Sequence, residues 1–222
     1  MKREVIVTSD GSYTIRIAEL DENYHSGHGA LQEAKHVFIK NGLEYIKDKT
    51  QIRIFEMGFG TGLNALLSLQ FALDSEIEVD YTGVEAFPVE QNLISQLNYS
   101  KLVSEKVASI FNAMHELDWT AQHQLLPNFN FTKLHQKIEN WSSPERTFDL
   151  VYFDAFGPRA QGEMWHLEVL SKMYNLLDSG GVFVTYCAKG QLKRDLRSLG
   201  FTVQTLPGPL GKREMTRAIK LS

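Results

Sequence analysis

Residues 52–64 read IRIFEMGFGTGLN, an apolar run that leads into three glycines at alternate positions. The first part, IRIFEMG, predicts a buried strand, and GLNALLSLQFAL at 62–73 predicts the helix that follows it. Gly58, Gly60 and Gly62 allow a sharp turn and let a ligand approach the main chain closely. The start of the helix offers free N–H groups to an anion or a carboxylate. Because position 63 is Leu, the spacing fits the dinucleotide-binding fingerprint poorly.

The rest of the chain alternates short apolar runs with helical stretches, a pattern typical of a mostly parallel sheet flanked by helices. Further strands are predicted at 77–84, 131–140, 148–156, 180–187, near 201–206 and at 214–221, with a helix at 190–199. The link PGPLG between the last two strands is too short for a parallel crossover. The sequence therefore predicts an antiparallel C-terminal hairpin at one edge of the sheet.

The N-terminal residues predict a small β element. Residues 4–8 and 13–17 form a predicted hairpin with its turn at Asp10-Gly11, and an amphipathic helix is predicted over 30–46. We expect this region, 1–50, to pack on a core domain that occupies 51–222. The residues between the second and third core strands, 86–131, are too many for one crossover helix. They predict an insertion, rich in aromatic residues and His, that forms a wall of the substrate site.

Composition excludes several classes of protein. The 222 residues include 23 Lys plus Arg, 27 Asp plus Glu and a single Cys, which excludes an internal disulfide framework and a Cys-rich zinc module. His25 and His28 have no third ligand at metal-like spacing, so no metal site is expected. No apolar run has the length of a signal peptide or a membrane span, so we expect a soluble, cytoplasmic protein with no membrane partner. The net charge of −4 argues against non-specific binding to nucleic acid.

Acidic residues stand at the ends of the predicted strands. Glu85 follows Gly62 by 23 residues, where its carboxylate could accept hydrogen bonds from both hydroxyls of a ribose. Glu56 suits the amino group of an amino-acid tail, and Glu139 could contact an adenine. Together with the glycines, these acids resemble the class I S-adenosylmethionine-dependent methyltransferases, a Rossmann-like α/β fold with a seven-stranded sheet. In the alternative interpretation, the glycines form only a structural turn and the acids are exposed at strand ends.

Asp154 begins the segment DAFGP directly after the apolar run FDLVYF. In a class I methyltransferase this strand ends beside the reactive sulfonium, where an Asp could accept a hydrogen bond from an attacking amine and orient its lone pair. An ordinary Asp pKa of about 3.9 favours this orienting role over general-base catalysis. Phe156 could contact the amine or the sulfonium through its ring face. The alternative is a simple turn in which Asp154 caps the next segment.

Longer motifs extend in order over nearly the whole chain. They are Asp21 with Tyr24 and Ser26, EAKHVFI (33–39), GFGTGLN (58–64), GVEAFP (83–88), DAFGPRAQGEMW (154–165), GQLKRDLRSLGFTV (190–203) and PGPLGKREM (207–215). In this arrangement the chain resembles the methyltransferase half of the bifunctional tRNA wobble-uridine enzymes of the MnmC family and their stand-alone MnmD relatives. GFGTGLN and GKREM are the most diagnostic motifs. RAQG at 159–162 departs from the family's usual Lys-Asn-Pro element, so the resemblance assigns those four residues no role.

The resemblance implies methyl transfer from S-adenosyl-L-methionine to 5-aminomethyl-(2-thio)uridine at the tRNA wobble position, giving 5-methylaminomethyl-(2-thio)uridine. Besides Glu139, the residues expected to hold the cofactor are Glu56, Gly58, Gly60, Gly62, Asn64 and Glu85. Asp154 and Phe156 would face the target amine, and Lys212 and Arg213 would lie near the RNA. The sequence stops at Ser222 without a flavin-dependent oxidase half. We therefore expect a functional link to separate enzymes that make the aminomethyl precursor.

The C-terminal stretch 189–220 reverses the charge balance of the chain. It holds eight basic and two acidic residues, a net charge of +6, which leaves −10 on the remainder. A tRNA-binding face is predicted around Lys193, Arg194, Lys212 and Arg213, and the alternative is an ordinary solvated surface. Trp165 could line the uridine pocket or could simply pack in the core.

Two other functions compete with tRNA methylation. A transferase of the same fold that acts on a small amine would suit the acidic surface, and it would respond less to salt than an RNA enzyme. A non-catalytic nucleoside-binding module would bind the cofactor without transferring its methyl group. The presence of both Asp154 and GKREM counts against the second alternative.

Overall fold

The computed structural model describes residues 2–141 and 147–221. Its strands are β1 Arg3–Val7, β2 Tyr13–Ile17, β3 Glu22–Asn23, β4 Gln51–Met57, β5 Glu78–Glu85, β6 Gln122–Leu126, β7 Phe129–His135, β8 Phe148–Phe153, β9 Leu177–Thr185, β10 Phe201–Pro207 and β11 Glu214–Lys220. Its α-helices are α1 Ala30–Ala34, α2 Leu63–Ser75, α3 Gln91–Ile94, α4 Tyr99–Val103, α5 Glu105–Glu116, α6 Leu167–Leu176 and α7 Gly190–Ser198. None of these helices is long and apolar enough to cross a bilayer.

The large sheet has the strand order β10-β11-β9-β8-β4-β5-β7-β6 in the described part of the chain. Strands β4, β5, β7, β8 and β9 pair in parallel. β11 runs antiparallel to β9, and β10 runs antiparallel to β11, which confirms the predicted C-terminal hairpin at a sheet edge. The predicted Rossmann-like α/β class is confirmed. The order of the strands reverses between β4 and β8, which is where open α/β sheets bind their ligands.

The strand count was underestimated from the sequence. The predicted insertion, 86–131, contains α3, α4, α5 and an additional strand, β6, which pairs antiparallel with β7 and gives the sheet an eighth strand within the described residues. The sequence of β6, QHQLL, has no residue fully buried, so it lacks the apolar run that marks the central strands. A hairpin partner can supply a strand's hydrogen bonds even where its hydrophobic pattern is weak.

The core strands alternate their side chains between the two faces of the sheet. In β4, Ile52 and Ile54 belong to one buried cluster, and Phe55 and Met57 belong to the other. The predicted helix over 30–46 is continuous: α1 passes into a π-helical segment Lys35–Leu43 and then into a 3₁₀ turn Glu44–Ile46. This helix covers the first face, where its π-helical segment packs against α2, β8 and β9.

The N-terminal hairpin is confirmed, with β1 antiparallel to β2 and a turn at Asp10-Gly11. The side chain of Arg3 joins this hairpin to the loop after β5. Its guanidinium donates to the carbonyls of Phe87 at 2.8 Å and Pro88 at 3.0 Å, and it pairs with Glu90 at 3.0 Å. These bonds fix the hairpin over the carboxyl end of β5.

The amino end of β8 is held by an ion cluster around the buried side chain of Asp149. Asp149 is 3% exposed and accepts hydrogen bonds from the Arg53 main-chain N at 2.8 Å and from the Arg53 guanidinium at 2.9 Å and 3.0 Å. Lys49 pairs with the same carboxylate. Although burial opposes ionisation, the hydrogen bonds from Arg53 and Lys49 hold the pKa of Asp149 below its usual value. This cluster fixes the end of β8 that lies away from the cavity described next.

Candidate active site

A cavity of about 570 Å³ lies at the carboxyl ends of β4, β5, β8 and β9. Its floor includes Gly58, Gly60 and Asp154, and its walls include Tyr24 from the N-terminal region and Glu85, the last residue of β5. This volume lies within the usual range of about 300–1,000 Å³ for sites that enclose a small organic ligand. The cavity therefore brings together most of the residues that the sequence predicts as a site.

The turn after β4 needs glycines because neighbouring groups leave no room for a side chain. Gly58 has φ +92°, and a Cβ at this position would lie 2.5 Å from the main-chain oxygen of Asp154. Gly60 has φ +51°, and a Cβ there would lie 3.1 Å from the Tyr24 ring. Gly62 differs from these two, because it packs against Met114 and His115 at the start of α2 and does not line the cavity. Its predicted cofactor contact is thus replaced by a structural role in the turn.

Glu85 is oriented by main-chain donors. Its Oε2 accepts from the N–H of Gly60 at 2.9 Å, and its Oε1 accepts from the N–H of Phe87 at 2.8 Å. A carboxylate oxygen can accept more than one hydrogen bond, so each oxygen retains a free lone pair beside the cavity. This geometry suits the two hydroxyls of a ribose.

Asn64 joins two carboxyl groups at the base of the cavity. Its Nδ2 donates to Glu56 Oε1 at 2.8 Å and to Asp154 Oδ2 at 2.9 Å. Its own Oδ1 is buried without a hydrogen-bond partner among the described residues. Asn64 lines the cavity, and this unpaired acceptor at its base would suit a ligand's ammonium group. The site therefore fits a nucleoside that carries an amino-acid tail.

Glu56 occupies a different position from the one predicted. It is fully buried beneath Asn64 and does not line the cavity. Burial raises its pKa well above the usual range, and the charge of Asp154 acts in the same direction. The predicted direct contact of Glu56 with an amino group is corrected accordingly, because Asn64 lies between this carboxyl and the cavity.

Asp154 lies immediately after β8, and its main-chain N–H donates to Met57 O at 2.9 Å. Burial, followed by the negative charge of Glu33, raises the pKa of Asp154 to about 7. The hydrogen bond from Asn64 and the charge of Lys212 oppose this rise. Near neutral pH the carboxyl group can therefore both accept a hydrogen bond and take up a proton, which the usual Asp pKa of about 3.9 does not allow.

An aromatic pair borders the cavity next to Asp154. The rings of Phe156 and Tyr24 meet edge to face with centroids 5.0 Å apart, and both residues line the cavity. Trp165 does not line it: this residue is 7% exposed, and its Nε1 donates to the Phe156 carbonyl at 2.8 Å. Of the two roles considered for Trp165, packing describes its environment. The indole supports the loop that carries Phe156.

Glu139 lines the cavity, although the predicted strand over 131–140 ends earlier, at His135. The residue lies in a 3₁₀ turn, Ile138–Asn140. The Lys172 ammonium donates to the main-chain carbonyls of Ile138 at 2.9 Å and Glu139 at 2.6 Å, which holds this turn against the core. The backbone therefore leaves the sheet before Glu139 and still delivers its side chain to the ligand-binding edge.

Glu33 and Tyr186, which the sequence analysis did not identify, also line the cavity, together with the predicted residue Lys212. Glu33 is buried, pairs with Lys212 and accepts from the main-chain N–H of Ser26 at 2.6 Å. The Lys212 ammonium lies 3.9 Å from the centroid of the Tyr186 ring. Tyr186 follows the carboxyl end of β9, a position where ligand-binding residues of parallel sheets are expected, so strand-end reasoning could have found it. Glu33 carried no comparable signal beyond its place in the EAKHVFI motif.

The predicted basic face divides into paired and exposed side chains. Lys193 pairs with Glu214 at 2.8 Å, and Lys212 pairs with Glu33 at the cavity. Arg194 and Arg213 are exposed, and neither forms an ion pair with a residue in the described ranges. Lys189 and Arg197 are also exposed on or beside α7. Lys189, just before α7, and Arg213, in the β10–β11 turn, therefore lie at the same edge of the sheet as the cavity. Arg194 lies in the middle of α7, and Arg197 lies in its last turn, towards the opposite edge.

No group of three or more His, Cys, Asp or Glu in residues 2–141 and 147–221 is arranged to hold a metal ion. His25 is buried and shares a hydrogen bond of 2.9 Å with the Thr14 hydroxyl. Burial lowers the pKa of His25 to about 4. This residue is neutral at physiological pH and belongs to the cavity wall.

Comparison with known proteins adds a family and several relatives. Residues 97–221 match the family described as S-adenosyl-L-methionine-dependent methyltransferase. A protein of Pseudoalteromonas atlantica named tRNA 5-methylaminomethyl-2-thiouridine biosynthesis bifunctional protein MnmC is 30% identical over 218 residues, which cover 90% of this chain and 31% of the relative. Its namesake from Marinomonas sp. is 26% identical over 214 residues, covering 89% of this chain and 31% of the relative. The chain thus spans about a third of the length of these relatives.

Among solved structures, the crystal structure of MNMC2 from Aquifex aeolicus superposes with a TM-score of 0.82. The two sequences are 25% identical, and the match covers 100% of this chain and 70% of the other. The whole described architecture therefore recurs in that protein.

Proposed function

The chain belongs to the S-adenosyl-L-methionine-dependent methyltransferase family, and on this premise we propose that it methylates the amine of 5-aminomethyl-(2-thio)uridine at the wobble position of tRNA. The product would be 5-methylaminomethyl-(2-thio)uridine. The names of the MnmC relatives support this substrate, since they refer to biosynthesis of the same methylaminomethyl nucleoside. The observation that carries the proposal is the position of Asp154, held by Asn64 between the glycine turn and the aromatic pair Phe156–Tyr24.

S-adenosyl-L-methionine, when bound, supplies an electrophilic methyl group on a sulfonium. We assign Glu85 to bind the cofactor's ribose and Asn64 to bind its ammonium group. Gly58 and Gly60 would let the cofactor lie close to the main chain. Glu139 would contribute to the adenine side of the cavity. These residues bind and orient, and none of them needs to change its protonation state during the reaction.

Asp154 would act on the amine. Its ionised carboxylate accepts a hydrogen bond from the neutral amine and aims the nitrogen lone pair at the methyl carbon. As the carbon–nitrogen bond forms and the carbon–sulfur bond breaks, the nitrogen becomes positively charged. The carboxylate can then take the surplus proton, because its pKa of about 7 allows it to be protonated near neutral pH. The rings of Phe156 and Tyr24 would border the developing cation.

The exposed cations would contact the tRNA backbone. Lys189 and Arg213 are accessible at the edge of the sheet that contains the cavity, and Arg194 is accessible one turn into α7. Three phosphate contacts would give the affinity a logarithmic salt slope of roughly −2 to −3. A transferase for a small amine would show a much weaker dependence. With a tRNA substrate, the enzyme would work in the cytoplasm together with enzymes that supply the aminomethyl precursor.

The test is a labelled-methyl assay on tRNA from cells that lack this modification. We expect label in a nucleoside that, after digestion, co-migrates with 5-methylaminomethyl-(2-thio)uridine. Asp154→Asn should retain cofactor binding by calorimetry and lose at least about a hundredfold in turnover, the usual scale for a positioned proton acceptor. Cofactor binding without transfer to any tRNA fraction would reject the proposed activity and favour a nucleoside-binding module.

A further inference from the structure

Lys212 and Arg213 are adjacent in the chain, yet they lie in different environments. The Lys212 side chain lines the cavity, where its ammonium pairs with Glu33 and contacts the ring face of Tyr186. Arg213 points to solvent from the same turn. A surface lysine that binds phosphate would be mobile and accessible, whereas two specific partners hold Lys212 at the catalytic edge. Its position therefore calls for a role other than RNA contact.

The two partners of Lys212 both interact with the loop 154–156. The Tyr186 hydroxyl donates to the carbonyl of Ala155 at 2.8 Å, next to Asp154 in the chain. Glu33 lines the same cavity as Asp154 and is the charged residue with the strongest influence on it. Lys212 thus contacts both Tyr186, which is hydrogen-bonded to the loop 154–156, and Glu33, whose charge acts on Asp154.

We propose that Lys212 is a positioning residue of the catalytic centre: it holds Glu33 and Tyr186 against the Asp154 loop, and its positive charge offsets Glu33 so that Asp154 remains an ionised acceptor. This inference rests on the proposed function of Asp154 in methyl transfer. It separates Lys212 from the exposed cations and assigns Arg213 alone, within the GKREM motif, to the RNA.

The charges around Asp154 define what each substitution should do. The negatively charged or acidic groups that face it are Glu33 from α1 and Glu56 from β4, and the phenols of Tyr81 on β5 and Tyr186 after β9 also interact with it. Asn64 from α2 donates a hydrogen bond to it, and Lys212 supplies the positive charge. Removing Lys212 should therefore favour protonated Asp154, and removing the charge of Glu33 should favour the ionised form.

The experiment measures single-turnover methylation of precursor tRNA between pH 6 and pH 8.5, at saturating cofactor and tRNA. A rise of about one unit in the pKa of Asp154 in Lys212→Met would lower the rate roughly fivefold at pH 7 and less than about 1.5-fold at pH 8.5. Glu33→Gln should move the acidic limb of the pH–rate profile to lower pH and increase the rate about fivefold at pH 6. A purely structural role for the pair would not produce opposite shifts.

Arg213→Ala provides the matched control in the neighbouring position. We expect it to raise the KM for tRNA and to reduce the salt slope by about one, with the pH limb unchanged. If Lys212→Met instead behaves like Arg213→Ala, with a parallel pH profile and a reduced salt slope, Lys212 is an RNA contact and the proposal is wrong.

A second measurement does not depend on activity. Titration of ¹³C-labelled Asp carboxyl groups by NMR, with Asp154→Asn used to assign the signal, should show a higher pKa for Asp154 in Lys212→Met and a lower one in Glu33→Gln. Unchanged titration in both variants overturns the inference even if tRNA is methylated. Opposite shifts in a protein that fails to methylate tRNA support the charge arrangement and reject only the proposed function. If Lys212→Met does not fold, Glu33→Gln and Lys212→Gln supply the same comparison.

Discussion

Asn64 is the residue whose replacement most directly tests the arrangement of the two buried carboxyl groups. Asn64→Ala removes the donor to Glu56 at 2.8 Å and the donor to Asp154 at 2.9 Å. Glu56 is fully buried in the parent protein, so the variant leaves a buried carboxyl group without this donor. Losing two hydrogen bonds to buried carboxyl groups should cost about 3 kcal/mol in the free energy of unfolding. For a chain of this size, that cost lowers the Tm by roughly 6–12 °C.

Ser68→Ala is the matched control on the same helix, one turn further along. Its hydroxyl shares one bond of 3.2 Å with the Tyr152 hydroxyl, in an equally buried position. The loss of this single neutral bond should cost about 1 kcal/mol, or roughly 2–4 °C in Tm. Ser68→Ala should also leave the pH dependence of methyl transfer unchanged, since Ser68 makes no contact with Asp154.

Differential scanning calorimetry gives the two Tm values, and single-turnover methylation gives the pH profile. The hydrogen bond from Asn64 lowers the pKa of Asp154, so Asn64→Ala should move the acidic limb of the profile to higher pH. Equal losses of stability in the two variants, with an unshifted acidic limb in Asn64→Ala, would refute the reasoning that Asn64 bridges Glu56 and Asp154.

Three further outcomes are expected. The pKa of Asp154 is about 7 in the folded protein and about 3.9 when unfolded, so its contribution to stability falls as pH rises through this window. As the pH rises from 4 to 7, the free energy of unfolding of Asp154→Asn should therefore increase by up to about 4 kcal/mol relative to that of the parent. Identical dependence of Tm on pH in the two proteins would contradict this. Trp165→Phe removes the 2.8 Å bond to the Phe156 carbonyl and should lower turnover about tenfold, with unchanged cofactor affinity by calorimetry. Gly58→Ala should abolish measurable cofactor binding, because its Cβ would lie 2.5 Å from the Asp154 main chain. Gly157→Ala, whose Cβ would meet its nearest neighbour at 3.8 Å, should retain binding.

The sequence could predict those site residues whose position depends only on where a nearby strand ends. Gly58 and Asp154 directly follow a strand, Glu85 ends one, and Gly60 lies in the turn after β4. Parallel strands bring their carboxyl ends to one edge. The strand assignments therefore sufficed to place these residues together. For Glu139 the same reasoning gave the correct edge of the sheet but the wrong strand end, since the strand ends four residues earlier, at His135.

The charge arrangement could not be read from the sequence. Lys212 and Glu33 are 179 residues apart, and neither local periodicity nor composition indicates that they pair. The net charge of +6 over 189–220 treats all eight cations alike, although Lys193 and Lys212 are in ion pairs. Side-chain direction within a tight turn depends on tertiary packing, so adjacent residues such as Lys212 and Arg213 can have unrelated environments.

Strand β8 carries an aspartate at each end, and the two have opposite relations to stability. Asp149, within its cluster of Arg53 and Lys49, strengthens the fold when ionised. Asp154 weakens the fold when ionised, because its charge is buried beside Glu33. A protein engineer who selects for thermostability alone would therefore keep the first residue and tend to neutralise the second. Under the proposed mechanism, neutralising Asp154 removes turnover. At Asp154 stability and activity therefore conflict, whereas Asp149, at the other end of the same six-residue strand, lies away from the cavity and can be kept for stability alone.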